Sequence, residues 1–237
     1  MVGGGSVLVG VALWGKQIYN NWRPRKVGIY GSSMVGKTTL DKYMTTPGEM
    51  EEIPEEERTE HFKLVTRYIL PKPTRKRLRW KGERRVIHSS DIGGQERFWN
   101  LWIDDMVNRQ CEFIVYMFDD RAFRGGADAI EQIGGFRFLV DSLIERNYRY
   151  RNWKSWRKGK KYCPRMVLLV ANKGDRFFDE TAAKLWQQDR IGEHKIFDPF
   201  RDDLIRLQKA GIPTKRSFMA TRIGWNVEPT LLDMLDY

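Results

Sequence analysis

Residues 26–42 read KVGIYGSSMVGKTTLDK: a short apolar run, a glycine, four residues, then Gly36, Lys37 and Thr38 opening a helix-forming stretch. A strand that passes through G-x-x-x-x-G-K-T into a helix has little freedom of shape. The glycines let backbone N–H groups turn inward where a Cβ would obstruct them, and the helix adds the partial positive charge of its N-terminus. The result is a concavity for phosphate, with Lys37 reaching the terminal phosphates and Thr38 offering its hydroxyl to Mg²⁺. Gly31, Ser32, Ser33, Met34, Val35, Gly36, Lys37, Thr38 and Thr39 are the candidate phosphate-loop contacts.

The 237 residues are 41% hydrophobic and 31% charged, enough for one sizeable core beneath a heavily charged surface. Apolar runs at 27–30, 62–70, 86–88, 113–118, 166–171 and 214–220 alternate with helical patterns at 37–44, 98–108, 128–146, 180–190, 200–209 and 228–235. That alternation predicts an α/β fold whose sheet is mostly parallel and six-stranded, with helices on both faces. One arm differs. No helix separates 62–70 from 84–91, so the two pair as an antiparallel edge hairpin. In the pattern 128–146, Ile130, Ile133, Val140 and Ile144 share a face, and Gly134 and Gly135 weaken the helix.

Two further strand ends carry chemistry. After 86–88 comes DIGGQE: Asp91 can hold Mg²⁺ directly or through its water, Gly94 can bring a backbone N–H close to a γ-phosphate, and Gln95 is placed to orient a water. After 166–171 comes NKGD. The Asp175 carboxylate can accept from the N1–H and exocyclic amine of guanine, a donor pair that adenine lacks. Asn172 can tie loops together, and the Lys173 stem can cover a ring face.

The three elements, in this order and on these strand ends, resemble the GTPases of the Ras superfamily over about residues 26–237. The resemblance implies a three-layer P-loop NTPase fold with one antiparallel edge strand, and GTP or GDP bound with Mg²⁺. It implies guanine specification by Asn172, Lys173 and Asp175, metal coordination by Thr38 and Asp91, and hydrolysis catalysed by Lys37 and by Gln95 positioning water. A switch hydroxyl for the metal and γ-phosphate belongs before the second strand. Thr59 in EERTEHF fits best, ahead of Thr45, Thr46 and Thr66. A last base-contacting loop follows 214–220, where SFMAT retains Ala220, carried over for its backbone N–H.

DIGGQERFWNLW looks most like the Arf/Sar branch, through its glycine pair and Leu101-Trp102. Ser90 stands where that branch usually has Trp, and Val2 where it has an acylated glycine. Ser33 and Met34 occupy loop positions that are glycine in Ras itself. A side chain at Ser33 narrows the approach to the γ-phosphate for Gln95 or for a partner's arginine, which predicts slow intrinsic turnover. Protein effectors that read the switches and a GTPase-activating partner are implied by the same likeness.

The 42 Lys and Arg against 31 Asp and Glu leave +11 at pH 7, which favours anionic partners. Basic segments at 71–85 and 147–162 carry much of this, the second interleaved with Tyr148, Tyr150, Trp153 and Trp156. They suit a solvated surface, an anionic membrane or nucleic acid. Residues 1–23 form a separate apolar helix, a membrane anchor or interfacial helix, or one docked on protein; if it spans, Arg23, Arg25 and Lys26 on its flank place the domain 24–237 at the cytoplasmic face. Cys111 and Cys163 border apolar runs and read as core packing in a reducing compartment, and the histidines lack zinc spacing. Two other readings remain open: a GTP-loaded scaffold with negligible hydrolysis, and an accessory NTPase on nucleic acid.

Overall fold

The computed structural model describes residues 25–45, 63–64, 68–70, 85–151 and 162–237. The N-terminal apolar segment, Thr59 with its rivals Thr46 and Thr66, and most of both basic segments lie outside the described residues.

Strand β1 (Arg25–Gly31) leads through the glycine loop into helix α1 (Lys37–Thr45). Four short strands follow, β2 (Lys63–Leu64), β3 (Tyr68–Leu70), β4 (Arg85–His88) and β5 (Ser90–Asp91). Then come α2 (Trp99–Arg109), β6 (Phe113–Phe118), the single turn α3 (Arg121–Arg124) and the long α4 (Ala127–Arg151). The chain closes with β7 (Met166–Ala171), α5 (Glu180–Gln187), α6 (Arg201–Lys209), β8 (Thr214–Phe218) and α7 (Val227–Leu235).

The main sheet runs β3-β4-β1-β6-β7-β8, parallel except where β3 meets β4. Period-two alternation along the strands divides the core in two. Tyr30, Ile114, Tyr116, Phe118, Val167 and Leu169 pack with residues of α2, α4 and α6, while Val27, Ile29, Val115, Met117, Leu168 and Val170 pack with α1 and α7. Helices therefore cover both faces. From β1 the chain steps to β4 on one side, then crosses to β6 on the other, so a crevice opens beyond Gly31, where ligands of such sheets bind.

The hairpin expected over 62–70 and 84–91 is split. β3 pairs with β4 in the main sheet, and β2 pairs with β5 in a separate two-stranded sheet. Ile87 is the partner of Tyr68 in the first pairing, and Ser90 is the partner of Leu64 in the second. The sixth strand stops at Phe218, short of the expected 220. The fourth helical pattern stops at Gln187, because the chain turns at Asp189, whose φ of 56° is left-handed.

Two readings of side chains are corrected. Gly134 and Gly135 do not interrupt α4; a Cβ on Gly135 would stand 2.7 Å from the Tyr116 hydroxyl and 3.4 Å from both Trp99 and Trp102. They are the seat on which two indoles rest. Ile130, expected on the buried face, lies in the first turns of α4 and is 74% exposed, whereas Val140 is fully buried. Helix α4 also continues through 147–151, the start of the segment read as an insertion.

Cys111 is buried, but Cys163 is exposed and outside the strand, so only one of the pair is core. Burial pushes the Cys111 thiol up to about 12. A thiol-reactive dye added to native protein at pH 8 is expected to label Cys163 promptly and Cys111 only on unfolding, measured by mass spectrometry of peptides. Prompt labelling at both would contradict the packing.

Candidate functional site

The loop from Gly31 to Thr38 lies at the C-terminal edge of the sheet and feeds α1. Its backbone takes the positive φ values that the glycine spacing demands, 147° at Gly31 and 95° at Gly36, and Met34 also adopts a left-handed 61°. Lys37 is 8% exposed, and its Nζ donates to the carbonyls of Gly31 and Ser32, both at 2.7 Å. Its ammonium is thereby folded inside the loop. Thr38 lies half-buried in the first turn of α1.

The Asp91 backbone ends β5, which lies against both β1 and α1, the helix that carries Thr38. The glycine pair then crosses the loop. A Cβ built on Gly94 would lie 2.1 Å from the carbonyl carbon of Ser32 and 2.3 Å from the Ser33 nitrogen. These are backbone atoms, so only glycine fits. Two indoles fix the crossing: Trp102 Nε1 donates to Gly93 O at 3.0 Å, and Trp99 Nε1 to Gly94 O at 3.3 Å. Trp102 is fully buried and stacks on Tyr30, which anchors α2 to β1. Gln95 follows, half-buried and extended.

Asn172 does lace loops together. Its Nδ2 donates to the Val35 carbonyl at 2.8 Å and to Thr221 Oγ1 at 3.0 Å, while its Oδ1 accepts from the Thr221 N–H at 3.0 Å. One buried amide thus spans the phosphate loop and the loop after β8. Gly36 makes room for it, since a Cβ there would meet Asn172 Nδ2 at 2.2 Å. Asp175 is exposed on the adjoining turn, available to a ligand edge.

Ala220 is corrected. Its N–H donates to Trp225 O at 3.0 Å in an isolated bridge, so that donor is already used. The residue engaged with Asn172 is its neighbour Thr221, and the turn Thr221–Ile223 carries the exposed Ile223 beyond it. The threonine was legible in SFMAT, one position on from Ala220.

A further group went unread. The residue just past β6 is Asp119, fully buried, whose carboxylate accepts from Lys173 Nζ at 2.7 Å, Gln132 Nε2 at 2.9 Å and Arg121 Nε at 2.9 Å. Burial raises such a carboxyl, but the hydrogen bonds from Arg121 and Lys173 and the Lys173 charge outweigh it, and its pKa is lowered. Lys173, in the left-handed region at φ 59°, is thereby held between the NKGD turn and β6. Arg121 also donates to Ser33 O at 3.1 Å, and Glu131 Oε1 accepts from Ser33 N–H at 3.5 Å. The available signal was the position of MFDDR at a strand end, on the edge that carries the other motifs.

The donor set suits a nucleotide phosphate with a hard cation. Thr38 and Asp91 bring a hydroxyl and a carboxylate onto contacting elements, and Mg²⁺ is held by one or two such groups together with phosphate oxygens. Among the described residues no cluster of three or more His, Cys, Asp or Glu forms a metal site by itself. Nor, among them, is any helix long and apolar enough to cross a membrane.

No family model and no curated protein matches this chain. Among solved structures it is similar to a bacterial selenocysteine-specific elongation factor, EF-Sec, at 14% identity and a TM-score of 0.49, over 90% of this chain and 29% of that one. The chain thus spans less than a third of that protein, a likeness too distant to carry its activity across.

Proposed function

We propose that this chain is a guanine-nucleotide-binding P-loop protein of the Ras-superfamily kind, nearest the Arf/Sar branch, that hydrolyses GTP slowly as a switch at the cytoplasmic face of a membrane. The observation that carries the reading is the Asn172 amide, which joins the G-x-x-x-x-G-K-T loop to the loop after β8 through three hydrogen bonds. Phosphate and base sites are tied together by it, with Asp175 exposed beside it for the guanine edge. The indole tether from Trp102 supports the Arf/Sar likeness, since it gives the tryptophan of the Leu101-Trp102 pair a task.

In this reading the loop N–H groups and Lys37 bind the phosphates, and Lys37 leaves its carbonyl partners for them. Thr38, Asp91 and Thr59 hold Mg²⁺, which when bound neutralises charge building on the phosphates. Gln95 orients the water. Thr59 and the glycine pair around Gly94 are the segments that effectors and an activating partner read. An anionic membrane is the partner assigned to the N-terminal segment and the basic stretches.

Exchange of GTP, GDP and ATP into the purified chain tests class and base together. GTP and GDP are expected to bind at least about 100-fold more tightly than ATP, because Asp175 finds no donor pair on adenine, and Asp175→Ala should erase that preference. Equal affinity for ATP would refute it. Phosphate release should fall at least about tenfold in Gln95→Leu with GDP affinity unchanged.

The GTP-loaded scaffold is the second reading. What favours it is Gly94 packed directly on Ser32 and Ser33, which leaves little room beside the loop. Phosphate release that Gln95→Leu leaves unaltered would select it.

A further inference from the structure

We propose that Arg121 serves GTP hydrolysis from within the chain, as the positive charge on the γ-phosphate side of the loop that a partner protein would otherwise supply. This rests on the reading above, in which residues 31–39 hold the phosphates and Gln95 orients the water.

Arg121 opens α3 three residues past the end of β6, and its backbone N–H donates to Asp119 Oδ1 at 3.2 Å. Its guanidinium is divided between two tasks. The Nε edge is spent on Asp119, at 2.9 and 3.1 Å, while NH2 donates to Ser33 O at 3.1 Å. The side chain, 28% exposed, enters a cavity of about 280 Å³ lined also by Ser33, Met34, Gln95 and Glu131. The water-orienting glutamine and the arginine therefore face one small space beside the phosphate loop.

Asp119 keeps a partner on each carboxylate oxygen without Arg121. Lys173 and Gln132 each donate to it at 2.7 and 2.9 Å, which already satisfies a buried carboxylate. Arg121 is a second cation on one anion, and the group of three keeps a net positive charge. Asp128 lies 3.4 Å from NH1 but is exposed, and screening makes that pair weak. Glu131 reaches the Ser33 N–H only at 3.5 Å, a long contact in which a carboxylate stands on a loop donor. A phosphate oxygen is the stronger acceptor for it.

Chemistry gives this placement its use. The water oxygen bonds to the γ-phosphorus as the bond to the β-phosphate oxygen breaks, the electrons leave with GDP, and the water proton passes to the released phosphate. Negative charge spread over the γ-phosphoryl group and the leaving oxygen is what a preorganised cation stabilises. Ser33 narrows the outer approach, and the space that remains already holds an arginine.

The test uses the full chain as wild type, Arg121→Ala and Arg121→Lys, with fluorescent GDP and then aluminium fluoride, which mimics the transferring phosphoryl group. GDP affinity is expected to agree within about threefold across the three. Wild type should form the aluminium fluoride complex with no partner protein present. Arg121→Ala should lose it and release phosphate at least about 100-fold more slowly, with partial recovery in Arg121→Lys and on adding guanidinium ion at millimolar concentration. The proposal is overturned if wild type forms no such complex alone, if Arg121→Ala forms it equally well, or if Arg121→Ala loses GDP affinity in proportion, which would mean a loop-shaping role only. Wild type that binds no GDP overturns the nucleotide reading, and this proposal with it.

Discussion

Gly94→Ala is expected to push the crossing strand-end loop off the phosphate loop and to abolish hydrolysis. The added carbon would sit 2.1 Å from the Ser32 carbonyl carbon and 2.3 Å from the Ser33 nitrogen, and neither atom can rotate away as a side-chain tip could. Overpacking of that kind costs about 1–3 kcal/mol even where neighbours yield, and here the yielding element is the site itself. Single-turnover phosphate release should drop below detection while far-UV circular dichroism and GDP affinity stay near wild type. GDP leaves the γ-phosphate side unfilled, so it does not need the crossing. A variant that hydrolyses at the parental rate would show that the loop does not work from this position.

Asn172→Ala is expected to cost both fold and ligand. It leaves the Val35 carbonyl and the Thr221 N–H without the partner that the structure gives them, in a place where Asn172 is 1% exposed. A buried polar group deprived of its bond costs about 1–3 kcal/mol, so two amount to a large part of a domain's stability. Thermal unfolding without nucleotide should shift down by about 10 °C or more. Saturating GDP should restore less of that shift than it adds to wild type, since the two halves of the site are no longer tied. Asn172→Asp keeps the acceptor for the Thr221 N–H but sets a buried carboxylate oxygen against the Val35 carbonyl, and should melt no higher than Asn172→Ala. Equal melting of Asn172→Ala and wild type would mean that the lacing carries no load.

What could be read in advance followed from local rules. The strand-loop-helix unit at 25–45 was legible because its glycines are fixed by backbone geometry, which needs no distant partner. The NKGD turn was legible because Asn172 sits at the end of a fully apolar strand. Residues whose meaning lies in other segments were not legible. Asp119, Arg121 and Glu131 carry no spacing signature, and only folding brings α3 and α4 to Ser33. Gly134 and Gly135 look like helix breakers until the indoles of Trp99 and Trp102 are seen against them. Ala220 was read from the letters of SFMAT, and only the folded loop after β8 shows its N–H spent on Trp225 and its neighbour Thr221 engaged with Asn172. The split of the hairpin into two ladders is a matter of pairing, to which hydropathy is blind.

The two indole N–H groups on the carbonyls of Gly93 and Gly94 have an optical corollary. Tryptophan emission responds to whether the ring nitrogen is bonded and how the ring is surrounded, so any withdrawal of the glycine pair must alter the fluorescence of Trp99 and Trp102 together. The protein therefore carries a built-in reporter at its glycine pair, one that can be followed in real time without a label.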